Sequence, residues 1–405
     1  MISFDEALAR VLATARPLGS ERVGVDAADG RALAEDVVAR SSQPATDLSS
    51  MDGYALAARD LGMPPHVLRV AGESAAGSPQ KPLEPGTAMR IFTGAPLPEG
   101  ADAVVMQEDV TREGDLARFA KTPPAGAHVR REGEDLRAGT VALTRGTRLG
   151  PGQIALAVAC DRPTLLVSRR PVVSILATGD ELRSPGDPAR PGSIPDSNAY
   201  FVAAAARRAG AVARVLPFVR DDLEEATRAV EAALDGADLV CSIGGVSVGD
   251  HDVMRPAMER AGVSLEFIKV AIKPGKPLVL GRAPAARVVL GLPGNPASAS
   301  LTFLLFGVPL LRALAGLTET VPPRDRMRVA GSMTRRPGRM EFVRARLRRE
   351  AGGATVAELL VNQASGAVTA FAWADALVIV PADRQEVRDG EELDTIRLAD
   401  LDLAR

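Results

Sequence analysis

The sequence predicts a multidomain α/β plus β fold: a central, mostly parallel α/β domain, an inserted β-rich domain, a helical N-terminal domain and a small C-terminal β-barrel. Three observations predict it. At 405 residues the chain exceeds one ordinary domain. Between Arg170 and Gly316 short apolar runs alternate with helical ones, the pattern of a parallel sheet covered by helices. Around that unit lie stretches rich in Gly and Pro that carry short strand-like runs.

Taken in order, Met1 to Pro17 places Ile2, Phe4, Ala7, Leu8, Val11 and Leu12 at helical spacing. Early Asp5 and Glu6 replace the charged-then-apolar order of a secretory leader, so none is expected. With a second helical stretch around 151–160, residues 1–45 and 140–168 read as the helical domain. Residues 46–139, with apolar runs at Ala88 to Phe92 and Ala103 to Met106, read as the β-rich insertion.

The central domain spans 169–318. Val172 to Ala177 is an apolar strand, Ser197 caps an Ala-rich helix ending at Gly210, and Ala211 to Phe218 is a second strand. Asp221 or Asp222 caps the next helix, and Ala237 to Ile243 is a buried strand running into Gly244-Gly245. Such a sheet binds ligands at the C-terminal ends of its strands. After Pro322-Pro323, residues 319–405 hold runs at Phe342 to Leu347, Thr355 to Leu360 and Ala376 to Pro381, which suit a small barrel.

Composition removes several classes of function. A net charge of -2 gives no global pull towards nucleic acid or an anionic membrane. Ten arginines lie between Arg324 and Arg349, but Phe342 is the only aromatic among them, so a solvated strand face is expected and no nucleic-acid surface. The apolar run Leu301 to Leu311 is shorter than the roughly 20 residues that cross a bilayer and contains Pro309. Cys160 and Cys241 stand apart, without disulfide or zinc spacing, which fits a reducing cytoplasm. With only His66, His128 and His251, acid–base work falls to carboxylates and lysines.

Lysine use is the most pointed feature. Only five of 49 basic residues are lysine, and Lys269, Lys273 and Lys276 lie within eight residues of one another. A compact ammonium differs from a flat guanidinium fork, so this cluster suggests a tight oxyanion site; a solvated hairpin is the plainer alternative. The loop Ser242 to Asp250 is glycine-rich but is neither a Walker loop nor a dinucleotide fingerprint. Thr178-Gly179-Asp180-Glu181-Leu182, Arg220-Asp221-Asp222 and Asp252 would converge with it on one crevice. There their carboxylates could hold Mg²⁺ beside a phosphate, or Asp221, Asp222 and Asp252 could cap helices. Gly291 to Pro296 would open the last helix with unpaired N–H donors, or serve as a structural turn. From residues alone, the chain reads as an enzyme handling a phosphorylated or oxyanionic ligand with a divalent metal.

Six motifs then stand in order: MDGYA at 51–55, TGAP at 93–96, TGDEL at 178–182, GGVSVGD at 244–250, KPGKP at 273–277 and LPGNP at 292–296. In these the whole chain resembles the bacterial MoeA and eukaryotic gephyrin E-domain family of molybdopterin molybdenumtransferases. The resemblance implies a molybdopterin-binding central domain and a reaction of adenylylated molybdopterin with molybdate to give molybdenum cofactor, AMP and water, using Mg²⁺. It also implies a homodimer with a cleft shared between subunits, so that Asp52 and Thr93 act across the interface. Adenylyltransferase and molybdoenzyme maturation proteins are the further partners it suggests.

By the same resemblance Glu181, Asp221 and Asp252 are the catalytic and metal-binding acids. Lys269, Lys273 and Lys276 bind the anions, and Pro293 and Pro296 shape the pocket. The glycine loop with Gly244, Gly245, Ser247 and Gly249 is read from its own residues as letting the backbone approach a ligand and present N–H groups to phosphate. Arg344 and Ser365 match C-terminal residues that help hold molybdate. Two alternatives remain at this stage: a molybdopterin adenylyltransferase, which would leave residues 1–165 and 325–405 unexplained, and a non-catalytic scaffold related to the gephyrin E domain.

Overall fold

The computed structural model describes residues 1–245 and 253–403. Its centre is a six-stranded sheet in the order Val212–Val215, Val172–Ala177, Leu239–Ile243, Arg287–Leu292, Pro277–Ala283 and Ser264–Lys269. The first four strands pair in parallel and the last two antiparallel. The three inner parallel strands are buried almost throughout because helices cover both faces, while the edge strand Val212–Val215 carries Arg214 and is partly exposed. Leu239–Ile243 is buried at every position.

The helix Asn198–Arg208 follows the first central strand and buries Ala199, Val202, Ala203, Ala205 and Ala206, small side chains that let it lie close on the sheet. Its cap differs from the expected Ser197. The Asp196 carboxylate accepts from the Ala199 N–H at 3.1 Å, while Ser197 has helical dihedrals and makes no capping bond. Asp196, placed three residues before the donor it satisfies, is the better acceptor. In the next helix, Leu223–Leu234, the alternative resolves to Asp222, which accepts from the Glu225 N–H at 2.8 Å. The second strand is shorter than predicted, because Leu216 and Phe218 lie past its end.

The final apolar run forms one 19-residue helix, Pro296–Leu314, longer than the predicted Leu301 to Leu311. A π turn over Phe303–Gly307 precedes Pro309, where the missing N–H and the ring would otherwise break the α-helical ladder. By length and composition alone this helix could cross a membrane, but it is 94% buried inside the fold. Gly307 is required there, since a Cβ would overlap the Phe303 ring.

The predicted helical N-terminal domain is corrected by the structure. Residues 1–45 contain a single α-helix, Phe4–Thr14, capped by Ser3, whose Oγ accepts from the Glu6 N–H at 3.1 Å. That helix packs into the central core. The remainder is mixed: Ser20–Gly24 pairs antiparallel with Thr164–Ser168, Val37–Val38 with Val141–Leu143, and Pro151–Ala159 forms one short helix. The helical spacing of apolar residues stops near Leu12, and the β-branched runs beyond it favour strands.

The insertion carries a six-stranded sheet in the order Ala103–Met106, Gly53–Leu56, Thr87–Ile91, His66–Ser74, Leu116–Phe119 and Val110–Glu113. Towards the C-terminus, Met340–Arg349, Thr355–Leu359, Asp325–Ala330, Glu392–Arg397 and Ala376–Val380 close into a small barrel, as the last strand pairs back with the first. The barrel also takes in a strand from the central domain: Ile272–Lys273 pairs in parallel with Met340 and Glu341.

Phe4 joins these layers. Its ring lies 5.5 Å from Phe306 on the long helix and 5.1 Å from Phe342 in the barrel, and all three rings are buried. Phe4→Ala is expected to cost about 3–5 kcal/mol, the range for truncating a buried phenylalanine. Urea unfolding followed by circular dichroism checks this, and a loss under about 1 kcal/mol would show that the helix adds little to the core.

Candidate functional site

Three parallel strands end at one level. Ala177 pairs beside Ile243, and Ile243 beside Leu292. The turns that follow, Thr178-Gly179, Gly244-Gly245 and Pro293-Gly294-Asn295-Pro296, therefore meet above the sheet edge and line a cavity of about 430 Å³. Glu181, Asp196, Asn198, Asp221 and Pro277 complete its wall. This is the crevice predicted at the carboxyl ends of the strands.

Glycine is needed where the turns touch. Gly244 has φ +87°, and a Cβ on it would sit 2.7 Å from the Thr178 carbonyl oxygen, so a side chain here would force the two turns apart. At Gly179, φ +148°, the Glu181 carboxylate folds over the Cα, in the space a Cβ would fill. The acid is thereby held against the cavity wall.

Of the residues predicted from sequence, Glu181, Asp221, Gly244, Gly245, Pro293 and Pro296 come together here. Ser247, Gly249 and Asp252 lie outside the described residues. Among the described residues no group of three or more acids, histidines or cysteines is placed to hold a metal. Glu181 and Asp221 remain as two carboxylates on one cavity, and Mg²⁺ commonly uses one or two together with water and phosphate oxygens.

The anion-binding role expected of the last helix's N–H groups does not match their partners. Pro296 has none, Ala297 donates to the Ser365 carbonyl at 2.9 Å, and Ser298 and Ala299 donate to the Asn295 carbonyl. These bonds fix the loop instead. They bring Ser365 to the rim, where the Asn295 side-chain amide reaches its Oγ at 3.4 Å. Of the lysine hairpin only Pro277 lines the cavity; Lys276 is exposed, Lys269 is half-buried, and the Lys273 ammonium lies 2.9 Å from Glu341.

Arg344 is placed differently from the prediction. It is fully buried and lines no described cavity; its Nη2 donates to the carbonyls of Asn362 at 3.1 Å and Ala364 at 3.2 Å. Burial pulls its pKa down to about 10, against the opposing pull of Glu341. Through Nη2 alone its guanidinium ties down the loop that presents Ser365, while its buried Nε and Nη1 make no described hydrogen bond.

Asp196, Asn198 and Asn295 were missed as site residues. Burial raises the Asp196 pKa above the ordinary carboxylate value, partly offset by the N–H groups of Ala199 and Asn198. The Asn198 amide donates to the Gly294 carbonyl at 2.7 Å, tying one cavity wall to another. The run Pro195-Asp196-Ser197-Asn198 before an Ala-rich helix held the clue, since three consecutive polar residues exceed what one cap needs.

Asp52 and Thr93 lie in turns at the adjoining ends of two paired strands of the inserted sheet, Gly53–Leu56 and Thr87–Ile91, and do not line this cavity, but they form a unit of their own. One Asp52 oxygen accepts from both the Thr93 N–H and the Thr93 hydroxyl, each at 2.8 Å. These two bonds, aided by Arg90, hold the half-buried Asp52 carboxyl below its ordinary value. Arg90 is itself fixed by stacking over Tyr54 and Phe92 at 5.2 and 4.7 Å.

Comparison with known proteins covers nearly the whole chain. Family models match as "MoeA N-terminal region (domain I and II)" over residues 2–160, "Probable molybdopterin binding domain" over 174–313 and "MoeA C-terminal region (domain IV)" over 326–398. A protein of Mycobacterium tuberculosis named molybdopterin molybdenumtransferase 2 is 37% identical over 399 residues, covering 95% of this chain and 96% of its own. A Nostoc protein named molybdopterin molybdenumtransferase is 35% identical over 401 residues, covering 94% and 89%. The crystal structure of a molybdopterin biosynthesis moeA protein from Pyrococcus horikoshii superposes with a TM-score of 0.84 at 28% identity, covering 98% of this chain and all of that one.

The Asp52–Thr93 unit gives a direct test. Thr93→Val removes the hydroxyl donor but keeps the backbone N–H, so the Asp52 pKa should rise towards the ordinary carboxylate value, as seen by carboxyl-carbon NMR titration. An unmoved pKa would show that the backbone bond alone sets it.

Proposed function

The chain belongs to the MoeA family of molybdopterin molybdenumtransferases, and on that premise we propose that it transfers molybdenum from molybdate to adenylylated molybdopterin, releasing AMP and water. The observation that carries this reading is the cavity at the strand ends, where Glu181 and Asp221 stand beside glycine turns and a lysine hairpin. The reaction brings two anions together, a phosphate ester and an oxyanion. Lysine charge offsets their repulsion, and carboxylates suit a divalent cation bridging the phosphate.

Roles follow from placement. Gly244 and Gly245 leave backbone room for the substrate, and Pro293 to Pro296 form a wall fixed by Asn198 and Ser365. Lys269, Lys273 and Lys276 draw molybdate to the hairpin side. Glu181 and Asp221 would hold Mg²⁺, which polarises the phosphoryl group when bound. Arg344 acts by holding the loop of Ser365. Asp52 and Thr93 do not line the described cavity, so we assign them to the cavity of a second subunit in a homodimer. Two buried free thiols, Cys160 and Cys241, both shifted upward in pKa by burial, suit a reducing cytoplasm.

The molybdenumtransferase reading is favoured over the adenylyltransferase one because the inserted and C-terminal regions match MoeA models of their own. Purified protein with Mg²⁺ should release AMP from adenylylated molybdopterin only when molybdate is present. Asp221→Ala and Lys273→Ala should each lower the rate by about 10²–10³, the usual loss on removing one electrostatic partner of a reacting group. No release by the native protein would sink the assignment.

The shared cleft is tested by mixing. Asp52→Ala and Asp221→Ala chains, each inactive alone, should regain up to about a quarter of native activity once subunits exchange, because half the dimers then carry one intact cavity. No recovery after proven exchange would place Asp52 and Asp221 in the same subunit's site or leave Asp52 outside it.

A further inference from the structure

The lysine hairpin reaches out of its own domain. Its turn contributes Ile272–Lys273 to the barrel, pairing in parallel with Met340 and Glu341, and the Met340 N–H donates to the Ala271 carbonyl at 3.0 Å. Next in the turn, Gly275 has φ +101° and is packed so closely that a Cβ would lie 2.6 Å from the Thr302 methyl of the long helix. The backbone that carries Lys273 is therefore held from two sides.

Its side chain is held as well. Glu341, 2% exposed, places one carboxylate oxygen 2.9 Å from the Lys273 ammonium and the other 2.9 Å from Nε of Arg335. The Arg335 side chain is 1% exposed and donates through Nη1 to the Pro381 and Arg384 carbonyls and through Nη2 to that of Arg339. A buried carboxylate needs a counter-charge. Arg335 already supplies one, so Lys273 is surplus to neutralising Glu341. Arg335 and the buried Arg344, which also feels Glu341, leave the cluster with an excess of positive charge, and its most exposed member, Lys273 with 43% of its side chain accessible, carries that excess to the surface.

Residue type supports the same conclusion. Arginine supplies the cation in the protein's other described ion pairs, from Arg10–Glu6 to Arg397–Asp325. At this place alone a described carboxylate is paired with one of the five lysines, and Lys269 and Lys276 on the same hairpin make no described ion pair. A point charge steered by one fixed acid suits an oxyanion arriving from any side.

We propose that Glu341, a barrel residue outside the cavity, is the positioning residue for Lys273, fixing where the hairpin presents its charge to molybdate. This rests on the anion-binding reading of the hairpin. It also makes the C-terminal barrel part of the site's machinery through one contact across the domain seam.

Five chains test it: native, Glu341→Gln, Glu341→Asp, Lys273→Met and the double Glu341→Gln, Lys273→Met variant. Gln keeps the shape and an acceptor but removes the charge that holds the ammonium. In molybdate-dependent AMP release, Glu341→Gln should raise KM for molybdate about tenfold and move KM for adenylylated molybdopterin by less than about twofold. In the Lys273→Met background the same change should cost less than about twofold, because contacting residues are not additive. Glu341→Asp, which keeps the charge, should recover part of the loss.

Equal losses in both backgrounds, or a parallel rise in both KM values with lowered thermal stability, would overturn the proposal. A second readout is independent of turnover. With only five lysines, ¹³C reductive methylation gives a countable set of dimethyl-lysine NMR signals, assigned by Lys273→Met. The Lys273 signal should shift and sharpen in Glu341→Gln, and molybdate alone should perturb it in the native chain. If the native protein releases no AMP, the transferase reading fails; an unmoved Lys273 signal in Glu341→Gln overturns the positioning role whatever the activity.

Discussion

The structure depends on a register. Ala177, Ile243 and Leu292 sit side by side on three parallel strands, so the chain leaves the sheet three times at the same height. In a strand the side-chain period is two, and a slip of one residue would swap every side chain between the two helix-covered faces, into packing shaped for different residues. Burial on both faces of the central sheet thus enforces the alignment that gathers Glu181, Asp221, the paired glycines and the Pro293–Pro296 turn around one cavity. Site geometry here is a by-product of core packing, and the site needs only residues small enough to let the turns meet.

The rest of the molecule is arranged around that sheet edge by side chains that cross between layers. Phe4 brings the N-terminal helix against both the long helix and the barrel. Asp402 accepts from Arg148 and Arg312, binding a residue near the C-terminal end to the N-terminal unit and to the last central helix. Ser365 and Glu341 extend from the C-terminal part to the proline turn and the lysine hairpin. Few of these links are extensive, yet several are buried, where an unpaired polar group is costly, so they fix orientation more firmly than their number suggests.

Much of this was legible in the sequence where periodicity or steric demand is strong. The Val172 to Ala177 and Ala103 to Met106 runs emerge as strands, the barrel runs hold to within a few residues, and Gly244, Gly245, Pro293 and Pro296 sit where their motifs suggested. Illegible features are those decided by neighbours distant in sequence. Nothing local separates Ser197 from Asp196 as a cap, and only the fold shows Asp196 to be a third carboxylate, beside Glu181 and Asp221, lining the cavity. Resemblance alone pointed to Arg344 as a molybdate residue; its interior location and carbonyl partners appear only once the barrel closes. The N-terminal segment was misread as helical because one good amphipathic helix was extended over residues whose partners, at 141–143 and 164–168, lie more than a hundred positions away.

The π turn at Phe303–Gly307 has a consequence for how this protein can vary. A π turn accommodates one extra residue within a helix, and each residue advances the helix by about 100°. The two halves of the Pro296–Leu314 helix are therefore out of phase: both touch the Asn198–Arg208 helix, but the first also lies against the Ser365 loop and the second against the N-terminal helix. Removing one residue to make the helix regular would swing one half's apolar stripe away from its partners while leaving composition and helix propensity almost unchanged. For anyone redesigning the scaffold, the length of this helix is thus a tighter constraint than the identity of most residues in it, and a regularised version would be a different protein at one end.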